Sequence, residues 1–242
     1  MADHFTRQEV KYKLSGEMFK ILTREFTPYL KKDKFFFEKI HNVYYDTEFD
    51  ENIRFSLEKP VYKEKLRLRA YELDGALYSY AFIELKKKFD GIVYKRREKM
   101  LLSAAREVIA GSNPAKIFPD TQISREILFF LQKTKCYPKV YLAYNRYSYR
   151  AECDENLRIT FDEAILSRTE RLDFCADSQD KLLVDPRGDE VRLMEVKSAN
   201  GFPLWMTKIL SHYKVYPVSF SKYGKIYENS LTDKVLEEMC HV

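Results

Sequence analysis

The chain has 242 residues, 45% hydrophobic and 33% charged. That is enough for a packed core, far from a disordered composition, and it suits one large domain spanning 1–242. The 42 basic residues nearly balance 37 acidic ones, leaving a formal charge of +5, so any polyanion partner must be sought in where the cations sit, not in their total. Cys136, Cys153, Cys175 and Cys240 form no CxxC clip, and His4, His41, His212 and His241 show no ligand spacing. No zinc site is expected, and reduced thiols in a cytoplasmic setting are expected. No apolar run reaches about 18 residues, so no membrane span is expected, and Met1–Val10 is too polar for a signal peptide.

In chain order, alternation predicts a strand over Phe5–Leu14 and an amphipathic helix opening at Ser15-Gly16-Glu17, ending near Pro28. Strands follow at His41–Tyr45, Glu64–Tyr71 and Tyr80–Phe89, then Asp90-Gly91 as a hairpin turn into Ile92–Met100. Ser103 is expected to cap a short helix ending near Gly111, and a longer helix covers Gln122–Lys135. Strands resume at Lys139–Tyr149, Leu157–Ile165 and Glu190–Lys197, with helices at Pro203–Tyr213 and Leu231–Met239. Phe35-Phe36-Phe37 and Trp205 read as packing residues. Asp46 reads as a local turn or cap residue, without a catalytic role.

Residues two apart on a strand share a face. Glu9, Lys11 and Lys13 share one; so do Lys65, Arg67 and Arg69; Glu84, Lys86 and Lys88; Lys95, Arg97 and Lys99; Arg158, Thr160 and Asp162; and Glu195 and Lys197. On pattern alone this is equally an antiparallel sheet with one wet face. The functional reading has these faces converging on a barrel interior, with the apolar faces outward under the helices. Clustered cations are costly without anionic partners, and phosphate chains supply them, matched by forked Arg donors and Lys point charges. Isolated carboxylates among the cations either hold lysines or ligate Mg²⁺ or Mn²⁺.

The ordered segments Glu-Val-Lys-Tyr (9–12), Val-Tyr-Tyr-Asp-Thr (43–47), Lys-Leu-Arg-Leu-Arg-Ala-Tyr (65–71), Glu-Leu-Lys-Lys-Lys (84–88), Tyr-Lys-Arg-Arg (94–97), Tyr-Asn-Arg (144–146), Leu-Arg-Ile-Thr-Phe-Asp (157–162), Met-Glu-Val-Lys (194–197) and Phe-Ser-Lys-Tyr (220–223) resemble the VTC polyphosphate polymerase domain. More broadly they resemble the triphosphate tunnel metalloenzymes, or CYTH superfamily. The resemblance implies an α+β fold, an antiparallel β-barrel tunnel with flanking helices. It implies phosphate-gripping or catalytic roles for Lys11, Arg67, Arg69, Lys86, Lys95, Arg146 and Arg158, and for Lys222 near the tunnel mouth. It implies that Glu195 ligates a divalent metal, Mn²⁺ or Mg²⁺; the competing reading of Glu195 is an ion pair with Lys197.

The strand faces add Lys13, Lys65, Lys88, Arg97 and Lys197 as substrate-binding candidates. The implied substrates are ATP and polyphosphate, the implied reaction γ-phosphoryl transfer onto a growing chain, and export would need a membrane partner. The segment Tyr216–Lys222 lacks a second lysine present in the eukaryotic polymerase pattern. An inorganic or nucleoside triphosphatase on the same scaffold, with Glu9, Glu84 or Asp162 deprotonating water, therefore stays open. So does a polyphosphate-binding module without turnover. Nucleic-acid binding would need exposed basic patches with stacking aromatics, and the pattern disfavours it.

Overall fold

The computed structural model describes residues 8–199 and 201–240, with side chains through residue 232. Expected strand residues Phe5–Arg7 lie outside that range. The elements are β1 (Gln8–Leu14), α1 (Gly16–Phe26), β2 (Leu30–Asp46), α2 (Glu51–Leu57), β3 (Tyr62–Leu73), β4 (Ala76–Phe89), β5 (Ile92–Leu101), α3 (Leu102–Ile109), α4 (Gln122–Thr134), β6 (Tyr137–Ala151), β7 (Arg158–Arg168), β8 (Lys181–Leu182), β9 (Arg192–Ser198), α5 (Leu204–His212) and α6 (Lys222–Cys240). The architecture is α+β, on an antiparallel sheet ordered β1-β9-β7-β6-β2-β3-β4-β5, with β8 on β7.

The chain divides into two compact units, interleaved in sequence. The first comprises residues 1–39, 144–166 and 182–220; the second comprises 40–143, 167–181 and 221–242. β2 and β6 each contribute residues to both.

In the first unit, Tyr12, Leu14, Ile159, Phe161, Met194 and Val196 form the apolar face of β1, β7 and β9. Leu22 and Phe26 of α1, with Met206 and Leu210 of α5, bury it. Each such side chain contributes roughly 1.5–3 kcal/mol. α1 starts where expected because the Ser15 hydroxyl accepts from Met18 N at 3.1 Å. Trp205 stacks on Tyr29 at 4.3 Å between centroids, so it packs. Phe36 and Phe37 pack against Tyr147, while Phe35 is exposed. That packing draws β2 back to Leu30, eleven residues before the expected His41. The run Leu30–Lys39 does not alternate, and so gave no period-2 signal.

In the second unit the same division recurs. Leu66, Leu68, Ala70, Ala81, Ile83, Leu85 and Met100 lie beneath Ala105 and Val108 of α3 and Ile127 and Phe130 of α4. Asp74-Gly75 and Asp90-Gly91 join β3 to β4 and β4 to β5, all four residues at positive φ, as tight two-residue turns of right-handed twist require. α3 corrects one expectation: β5 stays paired through Leu101, opposite Tyr80. The helix therefore starts at Leu102, Ser103 falls inside its first turn, and no side chain caps it. α6 starts at Lys222, well before the expected Leu231. Ser221 accepts from Gly224 N at 3.1 Å and holds that start.

Asp46 anchors this part of the second unit. Its carboxylate accepts from Thr47 N, Asn52 N and Ile53 N at 2.8–3.0 Å and from the Tyr223 hydroxyl at 2.8 Å, tying α2 and α6 to the end of β2.

Candidate functional site

With one face of each unit's strands under helices, alternate residues must occupy the other. In the second unit, hairpin register aligns them in rows: Lys65, Lys86 and Lys95; then Arg67, Glu84 and Arg97; then Arg69, Phe82 and Lys99. Like charges directly opposite destabilise a sheet, so a compensating charge is needed. Glu84, 1% exposed, supplies it. Arg67 donates to Glu84 Oε2 through Nε at 2.9 Å and Nη2 at 2.7 Å. Lys95 Nζ stands 2.7 Å and Arg97 Nε 3.2 Å from Oε1, and Arg69 Nε 4.0 Å from Oε2. Among the described residues, four cations thus meet this one carboxylate.

The surroundings fix the guanidinium planes. Arg69 donates to Asn42 Oδ1 at 2.9 Å, Arg67 to the Tyr44 hydroxyl at 2.9 Å, and Arg97 lies over the Phe82 ring at 3.4 Å. Lys65 donates to Ser221 Oγ at 3.2 Å, so the residue capping α6, next to Lys222, touches the lysine row.

Titration follows from this crowding. Burial would raise Glu84, but Arg67, Arg69 and Lys95 outweigh it and hold the carboxyl well below its usual range. Burial pulls Lys95 down to about 8; Glu84 opposes that shift, and Arg69 and Arg67 add to it. Tyr44 also falls to about 8, because Arg67, Arg69 and Lys65 favour the phenolate more than burial disfavours it.

The first unit carries a different cluster. Lys197 Nζ lies 2.6 Å from Glu195 Oε1 and 3.8 Å from Glu9 Oε2. Lys11 Nζ lies 3.8 Å from Glu195 and 3.6 Å from Glu9, and donates to Phe220 O at 3.1 Å. Arg146 grips Asp162 through two bonds of 2.7 Å. Burial would raise Glu195, but Lys197, Arg146 and Lys11 keep it well below the ordinary carboxyl value. Among the described residues, three cations meet three carboxylates here. Thr160, opposite Glu195 in the register, holds a buried hydroxyl without a hydrogen-bond partner.

Among the described residues no three His, Cys, Asp or Glu side chains form a metal cage. Mg²⁺ and Mn²⁺ do not require one. They are commonly held by one or two carboxylates, with substrate phosphate and water completing the shell. Glu195 and Glu9, sharing Lys11 and Lys197 and flanked by the orphaned Thr160 hydroxyl, fit that mode of binding.

The structure brings together Lys65, Arg67, Arg69, Lys86, Lys95 and Arg97 in one unit, and Lys11, Arg146, Glu195 and Lys197 in the other. It places others apart. Lys13 pairs with Asp185 at 3.0 Å, and Arg158 pairs with Asp33 at 3.1 Å alongside Arg150. Lys88 sits opposite Lys63 and Val93, toward the hairpin end. Lys222 opens α6. Sequence reasoning passed over Asn42 and Tyr44, and gave Glu84 only the part of a candidate base. Alternation along β2 puts Asn42 and Tyr44 on one face, a signal that was present without any charge to mark it.

A strand face of fixed guanidinium and ammonium groups has the donor chemistry that matches phosphate oxygens. The fold that carries it is the CYTH, or triphosphate tunnel, fold. The chain superposes with TM-score 0.53 on a Bacillus halodurans protein described as a "putative adenylate cyclase", at 14% identity over 89% of this chain and 95% of that one. A Pyrococcus horikoshii protein aligns with TM-score 0.47 at 13% identity, over 92% and 99% of the two chains. A Vibrio parahaemolyticus protein, also described as a "putative adenylate cyclase", aligns at 0.48 and 9%, over 91% and 97%. No curated protein matches the sequence. The VTC domain family matches residues 6–230, and the chain belongs to that family. It is a tunnel-fold protein of the kind that handles phosphate or nucleotide substrates. Among the described residues no helix is long and apolar enough to cross a membrane.

Proposed function

We propose that this protein is a polyphosphate polymerase that moves the γ-phosphoryl group of ATP onto the end of a phosphate chain. The observation that carries the proposal is the Glu84 cluster, four cations on one buried carboxylate, beside the row Lys65, Lys86 and Lys95. A triphosphate or polyphosphate matches the rows of guanidinium and ammonium groups on this face.

Phosphoryl transfer asks mainly for in-line placement and for neutralisation of the equatorial oxygens. Arg67 and Arg69, their planes fixed by Tyr44, Glu84 and Asn42, present forked donors to those oxygens. Lys86 and Lys95 add point charges. A terminal oxygen of the phosphate chain forms a bond to the γ-phosphorus, and the bond from that phosphorus to the β,γ-bridging oxygen breaks. ADP leaves, and the chain is one phosphate longer. The attacking oxygen is already ionised, so no strong general base is needed. Glu195, with Glu9, would hold the divalent ion, which when bound supplies further neutralisation of phosphate oxygens. Lys197, Arg146 and Lys11 keep the Glu195 carboxylate ionised.

A second reading, triphosphate hydrolysis, is favoured by the single lysine in Tyr216–Lys222. Incubation with ATP and Mn²⁺, followed by a gel stained for polyphosphate with free phosphate measured in parallel, separates the two. Long chains with ADP and little free phosphate support the polymerase. Free phosphate without chains supports the hydrolase. Neither product refutes both.

A further inference from the structure

The β4–β5 hairpin extends beyond the helix-covered core of its unit. The cover ends at a polar row: Glu126 of α4 holds Lys87 and also Arg96, the latter at 3.1 Å, while Glu64 lies 3.5 Å from Lys87. Beyond that row Val61, Tyr62, Phe89, Ile92, Val93 and Tyr94 are 42% to 66% exposed.

Tyr62, Phe89, Ile92 and Tyr94 are contiguous on one face, and Val93 lies on the other, opposite Lys88. Tyr62 pairs with Phe89 and Phe89 with Ile92 across the strands, and Asp90 N donates to Val61 O at 2.9 Å. Soluble surfaces scatter apolar residues singly, and a continuous patch of this kind marks an interaction site.

Alternation gives the hairpin end two unlike faces. Tyr62, Phe89, Ile92 and Tyr94 share one, and Lys63 and Lys88, directly paired, occupy the other. Lys59 is close enough to join them: burial first, then Lys88 and Lys59, holds the Lys63 ammonium below its ordinary value. Of the nearby acids, Glu64 and Glu126 are occupied by Lys87 and Arg96, and Asp90 stands in the turn itself. An apolar tip bordered by lysines has the chemistry of an interfacial anchor, its rings among acyl chains and its ammonium groups at anionic headgroups. Two copies of this chain meeting through the same tip would bring like-charged lysines together.

We propose that the end of the β4–β5 hairpin docks on an anionic lipid bilayer. Phe89 and Ile92 enter the interface, and Lys59 and Lys88 engage lipid phosphates and carboxylates, while the Lys63 ammonium donates to Ser56 O at 3.0 Å. Along β4 and β5 the row Lys86–Lys95 follows three residues behind Phe89 and Ile92, about 10 Å from the tip.

The test is co-sedimentation of the full chain with vesicles of phosphatidylcholine alone or mixed with phosphatidylserine. The expected result is binding to the mixed vesicles, weakened by added salt, with little to neutral vesicles. The double variant Phe89→Ser/Ile92→Ser should lose roughly tenfold or more in partitioning, with its melting temperature and tripolyphosphate affinity unchanged. Lys59→Gln/Lys88→Gln should lose the preference for anionic vesicles. Failure to bind either vesicle overturns the proposal, as does equal binding to both, or binding that survives Phe89→Ser/Ile92→Ser. A concentration-dependent dimer, abolished by that variant without vesicle binding, overturns it in favour of a contact between copies. Because tripolyphosphate binding is measured on the same variants, loss of docking is distinguishable from loss of the phosphate site.

Discussion

Replacing Glu84 by Gln keeps the shape of the second unit's cluster and removes its one negative charge. Arg67, Lys95, Arg97 and Arg69 then face one another without it, at a residue that is 1% exposed. Breaking a buried ion pair from one side costs about 3–5 kcal/mol. Lys95 and Arg97 are more than one-third exposed and discounted accordingly, so about 3 kcal/mol is expected, or roughly 6–12 °C in melting temperature for a chain of this size. Tripolyphosphate should recover much of that loss, since ligand at a hundred times its dissociation constant adds about 2.7 kcal/mol. Its stabilising shift should be larger in the variant than in the wild type, where Glu84 competes with it.

The pH dependence has a definite sign. The folded carboxyl lies below its ordinary value of 4.5, so its contribution is full above that value and fades as pH falls through the folded value. Glu84→Gln should therefore flatten the acid limb of the stability curve. Adding Arg97→Gln should restore part of the loss. Urea titrations with and without tripolyphosphate read all three effects. A Glu84→Gln protein as stable as wild type, or one whose tripolyphosphate shift does not exceed the wild-type shift, refutes the argument that Glu84 competes with phosphate for these cations.

Lys95 and Tyr44 both titrate at about 8, and each loses a proton as pH rises. One positive charge vanishes and one negative charge appears, so tripolyphosphate affinity by calorimetry should fall above pH 8. Tyr44→Phe and Lys95→Arg should each remove one inflection. Glu195→Ala should abolish Mn²⁺-dependent turnover and lower Mn²⁺ affinity by titration, while leaving most polyphosphate affinity; unchanged turnover would remove Glu195 from the metal site. Tyr223→Phe withdraws one donor from the buried Asp46 carboxylate and should cost about 1.5–3 kcal/mol by urea denaturation; a neutral result would mean that the three backbone donors suffice.

Much of this arrangement is legible in the sequence because strand geometry is local. Side-chain period two sorts Lys65, Arg67 and Arg69 from Leu66, Leu68 and Ala70 without any knowledge of the fold. Asp90-Gly91 sets its turn through positive φ, available at low cost to those residue types. Where local signals lapse, the reading falls short. The early part of β2 alternates poorly and is a strand because Phe36 and Phe37 find Tyr147. α6 starts at Lys222 because Ser221 caps it and Asp46 holds Tyr223, partners more than 170 residues apart in the case of Asp46.

Which residues share a strand face, and hence that cations gather opposite an apolar stripe, follows from the order of the residues alone. How those charges are balanced depends on the folded chain. Register set four cations on Glu84, shared Glu195 and Glu9 between Lys11 and Lys197, and sent Arg158 to Asp33 and Lys13 to Asp185. The physical reason is range. Alternation follows from covalent geometry one residue at a time, whereas an ion pair depends on which distant strand supplies the opposite charge within about 4 Å.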